Sequence, residues 1–223
     1  MFLGHCAVGF AAKRLDPRSS LGVLMGAALL PDLIWPVLLL AGWERVRIEP
    51  AGGAFTRLVF EHYPVSHSLA AVLGWALLLG GLYGARTRRA AGAAAAGLAV
   101  VSHWMLDALA HRPDLPLYPG SSRFAGLGLW NWTAVSVSVE LAIFAAGVWM
   151  YGRGTRGRDR VGVAGLWSFV AVLMALYAGS VAGPAPPSGG AIALTGLASM
   201  VFPLWAEWVD RHRRVAESGN SGG

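Results

Sequence analysis

The run Ser102-His103-Trp104-Met105-Leu106-Asp107-Ala108-Leu109-Ala110-His111-Arg112-Pro113-Asp114 ends a long apolar stretch in a burst of ionisable side chains. His103, Asp107 and His111 are spaced four apart, and at ~100° per residue they drift only ~40° per step. On a helix they therefore form one polar stripe along a hydrophobic cylinder. Two imidazoles and a carboxylate on one face suit a divalent transition metal, which accepts nitrogen and carboxylate oxygen as ligands. The same spacing also suits a plain His–Asp hydrogen bond inside a packed bundle. What decides between them is which other polar groups reach the same depth.

The elements that must position these residues are membrane helices. Of 223 residues 55% are hydrophobic and 13% charged, with mean hydropathy +0.52, where a soluble domain carries about 25% charge. Ten tryptophans and thirty glycines fit the same class, because Trp collects at membrane interfaces and Gly is common in membrane helices. The expected fold is an all-α integral membrane protein, a bundle of about seven transmembrane helices with a short first one. A single transmembrane domain over 1–210 and a polar, disordered cytoplasmic tail over 211–223 are expected. The lone Cys6 excludes an internal disulfide and any cysteine-based zinc motif, so a metal would be held by histidines and carboxylates.

Taken in order, residues 2–12 are an apolar run shorter than the ~20 residues a straight crossing needs. Residues 20–43 read as a full span interrupted by Pro31-Asp32 and Pro36, and 44–63 as a polar loop. Further helices are expected over about 65–85, 90–111, 127–151, 162–182 and 190–210. Lys13, Arg14, Arg18, Arg86, Arg88, Arg89, Arg153, Arg156, Arg158, Arg160, Arg211, Arg213 and Arg214 fall on one side, thirteen of the eighteen basic residues. The positive-inside rule then places the N-terminus outside and the C-terminus in the cytoplasm. Because the arginines serve as topology signals, the net charge of +6 does not imply nucleic acid, and none is expected as a partner. The N-terminus lacks the basic lead of a secretory signal, so His5 is expected to remain in the mature chain.

This topology brings the ionisable residues to one depth. His5 lies near the outer end of the first helix, His62 and His67 at the outer start of the third, and His103, Asp107 and His111 at the outer end of the fourth. Asp32 and Glu140 fall deeper and would form the floor of a cavity opening outward. A carboxylate at that depth costs ~2.5 to 3.5 kcal/mol on insertion scales unless compensated, and a divalent cation compensates several at once. Interhelical hydrogen bonds, or an ion or proton pathway in a transporter built on Asp32 and Glu140, would use the same residues.

Gly4-His5 with Gly9, Leu30-Pro31-Asp32, His62-Tyr63-Pro64-Val65-Ser66-His67-Ser68 and Ser102-His103-Trp104-Met105-Leu106-Asp107 occur in the order and spacing of a known group. Over residues 4 to about 120 the chain resembles the YdjM-like membrane-bound metal-dependent hydrolases of bacteria. That resemblance implies a helical membrane protein distantly similar to zinc-dependent phospholipase C and the single-strand nucleases, whose metals are held by His and Asp. It implies His5, Asp32, His67, His103 and Asp107 as ligands, with His62 as a further one. The chain departs from the pattern at Ile34, where the family often has a second acid, and at Tyr63, where it has an arginine.

The resulting expectation is a membrane-embedded hydrolase using a divalent ion, zinc above all, on a lipid or lipid-linked phosphoester reached from the outer side. Glu140 or His111 would accept the proton, and Arg112 could clamp phosphate. A transporter or a non-catalytic structural protein are the alternatives. Membrane lipids are the expected partners, and the sequence leaves oligomeric state open, since Gly80, Gly81 and Gly84 permit close helix contact within or between chains. There is no nucleophile elbow, Walker loop or redox motif.

Overall fold

The computed structural model describes residues 1–216. Its helices are α1 (Phe2–Ala12), α2 (Leu21–Ala28), α3 (Leu30–Leu40), α4 (Pro64–His67), α5 (Leu69–Thr87), α6 (Ala90–Ala110), α7 (Thr133–Gly154), α8 (Arg160–Ala182), α9 (Gly189–Ala198) and α10 (Val201–Arg211). Five spans, Leu69–Thr87, Ala90–Ala110, Thr133–Gly154, Arg160–Ala182 and Gly189–Arg211, are long and apolar enough to cross a bilayer. The pair α2 and α3 makes a sixth if its two arms are one span, and short α1 completes the expected seven.

α1 is the axis of the bundle. Its small residues let neighbours approach on every side: a Cβ on Gly9 would meet Met25 Cα at 2.9 Å, and one on Gly147 of α7 would meet Ala7 Cα at 2.8 Å. Leu3, His5, Cys6 and Phe10 are fully buried as a result. A helix covered all round has no lipid face, so its 11 residues need not match the bilayer thickness. Gly80 and Gly84 of α5 serve the same purpose within the chain, because a Cβ on either would meet Ala93 of α6 at 2.9 Å, while one on Gly81 would meet nothing within 4 Å. At the arginine-rich end Asp210 accepts from Lys13 (2.5 Å), the Leu21 amide (3.0 Å) and Tyr151 (2.8 Å), tying α1, α2, α7 and α10 together.

Several expected elements are broken, each for a local reason. The span at 20–43 bends by 55° at Leu29, because Pro31 has no N–H to continue the ladder and its ring crowds the turn before it. The helix expected from 65 is interrupted at Ser68, whose backbone is extended and whose hydroxyl caps α5 by accepting from Ala71 N at 3.2 Å. The last span is two helices, α9 and α10, joined at Ser199 and Met200. The polar loop at 44–63 contains an antiparallel hairpin of β1 (Arg45–Ile48) and β2 (Leu58–His62), with a register shift at Arg45/Val46. β3 (Leu115–Pro116) pairs with β4 (Phe124–Ala125) just after α6. The tail expected to be disordered from 211 instead continues α10 and forms β6 (Arg213–Val215), antiparallel to β5 (Thr155–Gly157); 217–223 lie outside the described residues.

Candidate metal centre

Four elements bring five of the expected residues together. His5 comes from α1, Asp32 from the first turn of α3, His67 from the end of α4, and His103 and Asp107 from successive turns of α6. All but Asp32 are buried; the Asp32 side chain is 38% exposed.

Each of two histidines has its far nitrogen spoken for. His103 Nδ1 lies 2.8 Å from the Ala28 carbonyl, which the bend at Leu29 turns toward it. A carbonyl only accepts, so Nδ1 carries the proton and Nε2 is left to face inward. His67 Nδ1 lies 2.7 Å from Ser66 Oγ. The Ser66 hydroxyl donates to Glu44 Oε2 at 2.5 Å, while Glu44 Oε1 accepts the Val65 and Ser66 amides at 2.8 Å each. Ser66 Oγ therefore accepts from His67, and His67 Nε2 also faces inward. A ligating histidine that donates its other N–H to a carbonyl or polar group is the usual support of a metal site.

The inward atoms form a compact set. His103 Nε2 is 3.2 Å from Asp107 Oδ2 and 3.7 Å from Asp32 Oδ1; His67 Nε2 is 3.4 Å from Asp32 Oδ1 and 3.9 Å from Asp107 Oδ2. Ligands ~2.0 to 2.1 Å from a tetrahedral ion lie ~3.3 to 3.4 Å from one another; the ligand atoms of Asp32, His67 and His103 all lie within 4.8 Å of one another, and Asp107 Oδ2 reaches both imidazoles of that group. His103 Nε2 is buried yet makes no hydrogen bond, because its approach to Asp107 is off the bonding direction. Two inward ring nitrogens thus face two carboxylates, the donor types that could hold a metal ion.

His5 takes a different place. Its Nε2 lies 3.1 Å from Asp107 Oδ1, the oxygen turned away from the four-atom set, and 3.0 Å from the Met1 amino group. That amino group also donates to Asp107 Oδ1 at 2.9 Å. The His5 ring stacks on His103 at 3.6 Å and 7°. His5 also belongs to a second group of potential ligands with His103 and Asp107, and His103 to a group with Asp32 and His67. Since His103 offers only Nε2 to either group, both cannot use it for separate ions.

A cavity of about 320 Å³ opens onto the set, with Asp32, His67 and Asp107 in its wall beside Trp35, Phe60 and Trp130. Glu140 and His111 line the same cavity without joining the four-atom set. Glu140 Oε2 accepts the Leu3 amide at 3.0 Å. His111 is not the third member of a helical stripe: α6 stops at Ala110 and His111 has extended backbone, because Pro113 bars the helical conformation just before it. It turns to Asp114, with Nδ1 2.9 Å from Oδ1, and packs on Trp130 at 4.2 Å. The same Asp114 accepts from Tyr63 at 2.8 Å. Burial and the Asp114 charge raise the Tyr63 phenol far above its ordinary value, so it stays a donor. His62 is exposed on β2 and outside the centre. Arg112 pairs with Asp114 at 3.7 Å and does not line the cavity; Arg57 does.

Sequence reasoning missed Glu44, Ser66 as a bridge and the Ala28 carbonyl. An acid closing a span and a serine next to a ligand histidine are the signals that could have found the first two.

A family model described as YdjM inner membrane protein matches residues 1–183 of the 223. No curated protein and no solved structure matches the chain.

Proposed function

The chain belongs to the YdjM inner membrane protein family, and from that premise we propose that it is a membrane-embedded hydrolase with one divalent ion, zinc by ligand type, held by Asp32, His67, His103 and Asp107. The observation that carries this reading is the inward convergence of two tautomer-locked imidazoles on two carboxylates at the wall of a cavity. Two nitrogens and two oxygens suit zinc better than magnesium or calcium, which prefer all-oxygen shells. When bound, the ion supplies Lewis acidity and brings the pKa of water from about 15.7 to about 7.

The chain's own residues divide the remaining work. Asp107 would hold the ion, and His5 and the Met1 amine, both at Oδ1, fix the plane of its carboxylate. Asp32, half-exposed in the cavity wall, would hold the ion on the side that an entering substrate reaches. Glu140 faces the cavity from α7 and would take up the proton of the attacking water there and pass it to the leaving group; His111, held by Asp114 at the same cavity, is the alternative acceptor. Trp35, Phe60 and Trp130 form an apolar wall and Arg57 adds a positive charge. That lining suits a lipid or lipid-linked phosphoester, entering from the outer side of the membrane.

The test is hydrolysis of phosphoester lipids by zinc-loaded protein in lipid nanodiscs, wild type against Glu140→Gln. Turnover in the wild type, lost at least about a hundredfold in the variant with metal retained, supports the reading. A metal-loaded wild type that turns over no phosphoester lipid, but moves protons or ions in proteoliposomes in an Asp32-dependent way, would replace it with a transporter.

A further inference from the structure

At the arginine-rich end, far along the chain from the metal centre, α7 and α8 stand apart. α7 packs on α1, and α8 on α10 and α1, with Phe10 of α1 wedged between Phe144 of α7 (6.2 Å) and Phe169 of α8 (6.0 Å). The splay leaves a groove of about 1120 Å³ between them. Its walls are Leu141, Phe144 and Val148 on one side and Val163, Val170 and Met174 on the other. From Leu141 to Arg153 and from Val163 to Met174 the walls run on the order of 17 Å at 1.5 Å per residue. Half of a bilayer's hydrocarbon core is about 15 Å. The groove is one leaflet deep.

Its mouth is cationic. Arg153, Arg156 and Arg214 line it, are exposed, and have no carboxylate partner among the described residues. The carboxylates nearby are engaged: Asp210 with Lys13 and Tyr151, Asp159 with His212, Glu207 with Arg211. The β5–β6 pairing brings Arg156 and Arg214 directly opposite each other, so two like charges are held side by side by backbone hydrogen bonds. Arg153 is propped over the Trp149 ring at 5.2 Å, at the level where tryptophan marks the membrane interface. Arg213 is different, buried and committed to Thr155 and the Gly162 carbonyl, and it fixes the strands that carry the others.

We propose that the α7/α8 groove is a binding site for one anionic phospholipid, its acyl chain lying between the helices and its phosphate held by Arg153, Arg156 and Arg214. Charge complementarity selects the headgroup, since clustered basic residues at the end of membrane helices attract anionic lipid by about fivefold per residue. The apolar trough selects a lipid over a free phosphate.

Native mass spectrometry of detergent-purified full-length protein, titrated with phosphatidylglycerol or phosphatidylcholine, tests this. Wild type should retain phosphatidylglycerol at least about fivefold better than phosphatidylcholine. R153Q/R156Q/R214Q should abolish that preference, while R158Q/R160Q, equally exposed but outside the groove, should keep it. Ala145 also lines the trough, so Ala145→Phe fills it and leaves the arginines in place; it should weaken phosphatidylglycerol retention, and about 10 mM inorganic phosphate should not displace the lipid from wild type. Equal retention of both lipids by wild type, an unchanged preference in the triple variant, or unchanged retention in Ala145→Phe would each overturn the proposal. If the triple variant does not fold, the Ala145→Phe and R158Q/R160Q arms still decide it.

Discussion

Glu44→Gln tests the claim that the tautomer of His67 is built into the fold. In the native chain Glu44 offers only acceptors to the Ser66 hydroxyl (2.5 Å) and to two backbone amides (2.8 Å each). The hydroxyl proton is therefore committed to Glu44, and Ser66 Oγ accepts from His67 Nδ1 at 2.7 Å. Glutamine has nearly the same shape, but its oxygen is needed under the two backbone donors, so its NH2 turns toward Ser66. Ser66 Oγ then accepts from the amide and donates to His67 Nδ1, which moves the imidazole proton to Nε2 and removes a ligand lone pair. Loss of a supporting partner costs about 10- to 100-fold in metal affinity, and a tautomer swap belongs at the upper end, ~2.7 kcal/mol. Stability of the metal-free protein should also fall by about 2 to 3 kcal/mol, as three bonds to a charged acceptor become neutral ones. Competition titration against a chromophoric chelator reads the first effect and thermal unfolding of the metal-free protein the second. Metal affinity within twofold of wild type, with the stability loss present, would refute the tautomer argument.

Other perturbations follow from the same structure. Gly147→Leu should push α1 off α7, because even a Cβ there meets Ala7 Cα at 2.8 Å; a loss of about 1 to 3 kcal/mol, read by thermal unfolding, should be accompanied by weaker metal binding, since α1 carries His5. His62→Ala should leave metal content and affinity unchanged, its side chain being exposed on β2, whereas Asp32→Asn should weaken affinity at least about tenfold by chelator competition; equal effects of the two would misplace the centre. Asp159, whose carboxylate caps α8 through the Gly162 amide and accepts from His212, is held below its ordinary pKa by those hydrogen bonds. A depressed folded-state pKa stabilises above the unfolded value of about 3.9 and is lost as pH falls through the folded one. The melting-temperature gap between wild type and Asp159→Ala should thus shrink as pH falls below about 4; a gap that persists at low pH would remove the charge from the explanation.

The parts of the centre that could be read from sequence are those whose signal is local. His103 and Asp107 share a face of α6 by helical periodicity alone, and Asp32 stands out because an acid within an apolar span is costly. His111 follows the same periodicity but leaves it, since Pro113 ends the helix first; breaker chemistry outranks spacing at a helix end. Glu44 was hidden by distance and by type. It sits in a stretch that reads as a solvated loop, and only the hairpin of β1 and β2 returns the chain so that Glu44 meets Ser66, 22 residues on. The Ala28 carbonyl belongs to no motif at all, and it becomes a partner for His103 because the helix bends at Leu29. Burial of α1 was likewise illegible from its length, which reads as a failed span until Gly9 and Gly147 are seen to admit neighbours on both sides.

The central claim is a single metal ion on His67, His103, Asp32 and Asp107, and elemental mass spectrometry of protein purified in detergent without chelator tests it most directly. Wild type should carry about one zinc or similar ion per chain, and a folded H103A/D107A variant none, including after metal is added back and excess removed. Near-zero metal in both proteins after add-back, or equal metal in both, would contradict the account.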